Sequence, residues 1–213
     1  MLRVVRLPGL TPYARAHALQ LEVVAARQAG RVPDTLLLLE HEAVVTLGRH
    51  ADPAGVLAGP EVLAADGIGL YRVERGGQAT YHGPGQVVGY PILDLKARRL
   101  GVRRYVAALE ETMVRAAAAF GVAARRLPGR PGVYTNRGKL GAVGVAVSRG
   151  VTFHGLAFNA CPDLRHFGFI VPCGRTDTPP TSLAEHLARP PRVEEAADAV
   201  LQAFREVLGD SGT

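Results

Sequence analysis

The stretch KLGAVGVAVSRGVTFHGLAFN, residues 139–159, constrains the fold more than any other. Two apolar runs flank Ser148-Arg149-Gly150, a pattern that reads as two strands joined by a hairpin turn. Further strand-like runs surround it. DTLLLLEHEAVVTLGR carries two β-rich pieces broken near His41, GIGLYRVERGG runs into a glycine turn, and GQVVGYPILDL reads as a buried strand. Long helices are expected over TPYARAHALQLEVVAARQAG, with Thr11 as N-cap, Pro12 in the first turn and Gly30 as the stop, and over GVRRYVAALEETMVRAAAAFG. TSLAEHL reads as a short helix capped by Thr181 or Ser182, RVEEAADAVLQAFREVLG as a C-terminal helix, and PGRPG, 128–132, as a loop. Helices do not alternate strictly with strands, so the class is α+β rather than doubly wound. The 213 residues fit one domain spanning 1–213.

Composition bounds the function. Hydrophobic residues make up 47%, enough for a packed core. Two cysteines suit free thiols in a reducing cytosol. No leader and no run of about 18 apolar residues is seen, so a soluble cytoplasmic protein without membrane contact is expected. The net charge of +6 favours acidic partners, either nucleic acid or an acidic carrier protein. Aromatic content of 6% and the lack of a basic cluster argue against nucleic acid. No heptads are present, and a monomer is expected.

Three segments carry candidate chemistry. RGGQATYHGPGQ, 75–86, concentrates Arg75, Tyr81 and His82 among glycines that let a backbone approach a ligand. It is neither a Walker A loop nor a dinucleotide fingerprint, and its bland reading is a surface turn. RGKLGAVG, 137–144, opens an apolar strand with Lys139, one of two lysines; by itself Lys139 also reads as a solvated strand end. PCGRTDTPPTSL, 172–183, holds Cys173 between a proline and a glycine. That thiol is either a buried small hydrophobe or a nucleophile displayed on a rigid turn beside Arg175. Cys161, before Pro162, reads as structural. The seven histidines show no H-E-x-x-H and there is no C-x-x-C, so no metal is expected.

Together these segments resemble the lipoyl(octanoyl) transferase family. RGGQATYHGPGQ, GVYTNRGKLGAVGV, VTFHGLAFNACPDLRHFGFIVPCG and TSL occur in the family's order, and TLGRHAD, 46–52, resembles a weaker family motif. Tyr134 stands where the family often has tryptophan. The resemblance implies a biotin/lipoate protein ligase-like domain with a mixed or mostly antiparallel sheet flanked by helices. It implies octanoyl transfer from octanoyl-acyl carrier protein to a lysine of lipoyl domains, in 2-oxoacid dehydrogenase complexes and glycine cleavage H protein. By the same resemblance Cys173 forms the acyl-thioester and Lys139 lowers its pKa, with no cofactor. Substrate binding maps to Arg75, Gly76, Gly77, Gln78, Ala79, Thr80, Tyr81 and His82, to Ala142, Val143 and Gly144, and to Gly155, Leu156 and Ala157. His82 is expected to position the thioester or the acceptor amine. The run Leu140, Val143, Val145, Leu156 and Phe158 is a candidate acyl tunnel. The rivals are an ATP-dependent ligase of the same fold, and a Cys-His hydrolase with His82 or His154 as base.

Overall fold

A computed structural model describes residues 1–171 and 178–209. Its main sheet has seven strands: β1 (Arg3–Thr11), β2 (Thr35–His41), β6 (Gln86–Ile92), β10 (Val151–Asn159), β9 (Lys139–Ser148), β8 (Arg130–Tyr134) and β7 (Arg125–Leu127), in that spatial order. Only β1 and β2 pair in parallel; the other neighbours are antiparallel. The expected mixed, mostly antiparallel α+β sheet is therefore found. A second sheet orders β4 (Gly69–Arg72), β3 (Val44–Leu47) and β5 (Ala79–His82). The break near His41 is thus the point where the chain leaves one sheet for the other.

The hairpin of β9 and β10 forms as the sequence predicts. Val151 pairs with Ser148, and the turn places Arg149 at φ 46° and Gly150 at φ 87°. Both central residues in the left-handed region define the turn whose twist matches paired strands. β2, β6 and β10 lie inside the sheet and are almost wholly buried. Pro91 is tolerated in β6 because the β6–β10 ladder ends at Leu156–Gly89. Beyond it, the Thr152 hydroxyl bonds the Pro91 carbonyl and accepts the Leu93 N–H.

Helix α1 (Tyr13–Gln28) covers one face of the main sheet, burying Ala16 and Val24 against Leu37, Val88, Ile92 and Phe153. α3 (Val102–Ala118) and α4 (Val193–Leu208) cover the other, with Tyr105, Leu109, Met113 and Phe204 at the core. The short α2 (Pro60–Ala65) packs Leu63 with the three-stranded sheet, Phe167 and Ile170.

Several expectations need correction. Thr11 ends β1 and does not cap α1; Pro12 is the N-cap, with no side-chain bond. Gly30 does stop that helix, at φ 68°. Ser182 precedes a single 3-10 turn, Leu183–Glu185, without capping it through its side chain. Within 128–132, Gly129 turns the chain, but Arg130 already begins β8. Leu140 and Phe158 lie in the core beneath α3 and α4, so they do not line an acyl tunnel.

Candidate active site

Two clefts adjoin across β9 and β10. The first, with an open volume of about 570 Å³, is lined by Lys139, Tyr134, Arg130, Gln86, Asn159 and Thr178 among others. The second, about 520 Å³, is lined by Arg75, Gly76, Gly77, His82, Val143 and Leu156 among others. Thr80, Ala142 and Ala157 line both. The register Ala142↔Ala157, Val143↔Leu156 and Gly144↔Gly155 brings the two small-residue stretches side by side. Most of the residues singled out from the sequence therefore converge. Gln78 and Tyr81 do not line either cleft. Gln78 accepts the Asp52 N–H, and the Tyr81 hydroxyl bonds His166 beside Phe167.

Lys139 opens β9 at the edge of the first cleft. Its backbone N–H donates to the Pro179 carbonyl at 2.8 Å, and its carbonyl accepts the Thr181 N–H at 3.0 Å. Its ammonium lies 5.7 Å from the centre of the Tyr134 ring, a cation–π placement. The stem runs over Gly132, where a Cβ would stand 2.7 Å from the lysine Cε. Cys173 falls in residues 172–177, outside the described residues. The chain on either side is fixed: Val171 donates to Gly55, and Thr178 lines the same cleft as Lys139. Cys161 is half-buried, and burial with the nearby Glu40 and Glu194 pushes its thiol pKa up. That suits a structural residue.

His82, at the end of β5, starts a chain of bonds that the sequence reading missed. Its Nδ1 lies 2.7 Å from Gln86 Oε1; Gln86 Nε2 donates to Asn159 Oδ1, and Asn159 Nδ2 to the Thr181 carbonyl, both at 2.8 Å. A carbonyl can only accept, so it orients both amides. His82 must then donate from Nδ1, which leaves the Nε2 lone pair unprotonated. Burial, with His41 nearby, pushes the His82 pKa down to about 3. The ring is a neutral hydrogen-bond acceptor, and a weak base. Gln86 and Asn159 were visible only as members of HGPGQ and FNA; their spacing of 73 residues gave no hint that they touch.

Arg75 is buried and spends its guanidinium on the Thr46 carbonyl and hydroxyl and on the Gln78 and Gly76 carbonyls. It fastens its own loop to β3. Behind Tyr90, which lines the second cleft, the buried His41 bonds the Thr11 carbonyl through Nδ1 and accepts the Tyr90 hydroxyl through Nε2. Burial holds the His41 pKa near 4. Among the described residues one group, His17, Glu74 and His154, gathers potential metal ligands.

The model of the lipoyl protein ligase A/B catalytic domain matches residues 12–205. An octanoyltransferase of Rubrobacter xylanophilus is 47% identical over all of this chain and 96% of its own length. One of Geobacter sulfurreducens is 46% identical over 93% of this chain and 82% of its own. Among solved structures, a lipoate-protein ligase A bound with ATP superposes with TM-score 0.74 at 18% identity, over 97% of this chain and 84% of the other. Biotin protein ligase from Aquifex aeolicus with biotin and ATP gives TM-score 0.56 at 14%, over 97% and 70%. These two likenesses concern the fold. The chain belongs to the lipoyl protein ligase A/B catalytic-domain family, among its octanoyltransferases.

Proposed function

We propose that this protein, acting as one catalytic domain, moves an octanoyl group from octanoyl-acyl carrier protein to a lysine of lipoyl domains, through a thioester on Cys173. The observation that supports the reading best is Lys139 at the edge of an apolar cleft, its backbone bonded to Pro179 and Thr181, a few residues beyond Cys173.

In the first step the Cys173 thiolate attacks the donor thioester carbonyl, and the carrier thiolate leaves, taking a proton from Lys139 and so leaving that amine neutral. The Lys139 ammonium is the cation that favours the thiolate. In the second step the acceptor amine attacks the Cys173 thioester. Cys173 leaves as thiolate, and Lys139, covered by the acyl chain, takes the amine's proton. Exchange between thioesters is nearly isoenergetic and aminolysis runs downhill, so no ATP is consumed. Ala142, Ala157, Val143 and Leu156 enclose the hydrocarbon. His82 Nε2 accepts a hydrogen bond from the incoming amine and positions it; a ring with pKa near 3 is too weakly basic to serve as the main base.

Intact-protein mass after brief mixing with octanoyl-acyl carrier protein tests this. An octanoyl adduct is expected on wild type and Cys161→Ser but not on Cys173→Ser, and a lipoyl domain should discharge it. Transfer by Cys173→Ser would overturn the covalent route. Transfer only with free octanoate plus ATP would make the chain a ligase. Lys139→Arg keeps the charge but does not readily give up a proton. Rapid-quench kinetics should show acylation retained and discharge slowed at least tenfold.

A further inference from the structure

Three residues far apart in sequence meet beside the second cleft. His17 stands on α1, Glu74 precedes the Arg75 loop, and His154 lies in β10. His17 Nε2 lies 3.0 Å and His154 Nε2 3.4 Å from the same carboxylate oxygen, Glu74 Oε2. The two imidazoles stack, 5.7 Å between centroids and 16° between planes. One ligand atom from each residue falls within 4.8 Å of the others. For nitrogen and oxygen ligands bound at about 2.0–2.1 Å in a tetrahedron, neighbouring ligand atoms stand about 3.3 Å apart. The two nitrogen–oxygen separations, 3.0 and 3.4 Å, bracket that length.

A second observation concerns hydrogen bonding. Among the described residues, two buried side-chain polar atoms have no partner: Tyr13 Oη and Gln20 Nε2. Both residues are at least nine-tenths buried. They sit on α1 four residues before and three after His17, the spacing that shares one helix face. The Tyr13 ring stacks on His17, and Gln20 Oε1 holds the His154 backbone N–H at 2.7 Å. The two buried side-chain atoms without a partner among the described residues therefore both flank this one cluster.

We propose that His17, Glu74 and His154 form a binding site for a divalent first-row transition cation of the zinc type, with its remaining positions taken by water. Each imidazole shifts its proton from Nε2 to Nδ1 and gives the Nε2 lone pair to the metal; Glu74 gives Oε2. Tyr13 Oη and Gln20 Nε2 supply hydrogen bonds around the bound waters. The carboxylate offsets part of the charge, while the Arg75 guanidinium nearby weakens the site, so micromolar rather than nanomolar affinity is expected. The bound ion ties α1 and the loop before Arg75 to β10. Two imidazoles and one carboxylate are a borderline donor set that favours zinc, cobalt or nickel over magnesium or calcium.

The test uses the untagged full chain and cobalt(II) as a visible probe. Titration should give one ion per chain, with d–d absorption of a four- or five-coordinate centre. His17→Ala and Glu74→Gln should each weaken binding at least tenfold, and Cys173→Ser should not. Zinc at a hundredfold excess over its Kd should raise the wild-type Tm by about 5–10 °C, and the His17→Ala Tm by much less. Absence of stoichiometric binding would overturn the proposal. So would binding that survives both His17→Ala and Glu74→Gln, or that disappears in Cys173→Ser.

Discussion

Gln86 shows how one uncharged side chain can set the chemistry of another. Its carbonyl holds His82 Nδ1–H, and its amide is itself fixed through Asn159 to a backbone carbonyl. Gln86→Met removes the acceptor and leaves His82 Nδ1–H and Asn159 Oδ1 buried without partners. A loss of about 1–3 kcal/mol per unsatisfied group is expected. On the mechanism proposed above, in which His82 positions the acceptor amine, octanoyl transfer to the lipoyl domain should fall more than acylation. Stability from urea unfolding, together with both half-reaction rates, checks this; unchanged discharge in a folded Gln86→Met would remove His82 from amine positioning. Gly132 acts on Lys139 in a different way. At φ 117° it occupies a conformation that L side chains rarely adopt, and a Cβ there would stand 2.5 Å from the Gly141 carbonyl and 2.7 Å from the Lys139 Cε. Gly132→Ala should cost about 1–3 kcal/mol and displace the lysine. Tm and single-turnover rates should both drop, and a variant with wild-type values for both would show that the stem is placed by other contacts.

At the scale of elements, what could be read from the sequence follows from how local the cause is. The β9–β10 hairpin was legible because its turn residues and both strands are contiguous. α1, α3 and α4 were legible from apolar spacing and their stop signals. β1 was not: Pro8 and Gly9 interrupt RVVRLPGLT, the register shifts between Arg6 and Leu10, and the strand exists because β2 lies parallel beside it. β3 and β4 were legible as strands, but their assembly with β5 into a separate sheet was not, since pairing such as Val44 with both Gly69 and His82 is a long-range fact; β7 is only three residues, Arg125–Leu127, two of them arginines, and carries no apolar run to mark it. The site divides in the same way. Contiguous motifs supplied Arg75 to His82, Ala142 to Gly144 and Gly155 to Ala157. The chain from His82 to Thr181 and the cluster of His17, Glu74 and His154 span separations that only the fold closes.

For the whole molecule, the buried histidines govern the response to acid. Burial lowers the pKa of His41 and His154 to about 4 and of His82 to about 3. In the unfolded chain each returns to about 6.5. The unfolded state therefore binds more protons between about pH 6.5 and pH 4, and stability falls as the pH drops through that window. Near pH 5 these three rings alone give an uptake of about three protons on unfolding, on the order of 4 kcal/mol per pH unit. Urea midpoints from pH 7.5 to pH 4.5 measure the slope; a flat profile would mean that water reaches these rings and restores their ordinary titration.

The backbone bonds of Lys139 to Pro179 and Thr181 also act as a mooring. Cys173 stands five positions before Thr178, with four residues of chain between them. Whatever path they take, an extended chain of that length reaches no farther than about 17 Å. On the proposed mechanism, confinement to a sphere of that radius about Thr178 corresponds to an effective thiol concentration on the order of 0.1 M for Lys139. Because Val171 holds the other side, glycines inserted both between Val171 and Pro172 and between Asp177 and Thr178 should dilute the proposed pair and slow acylation while leaving the acceptor step's dependence on lipoyl-domain concentration unchanged.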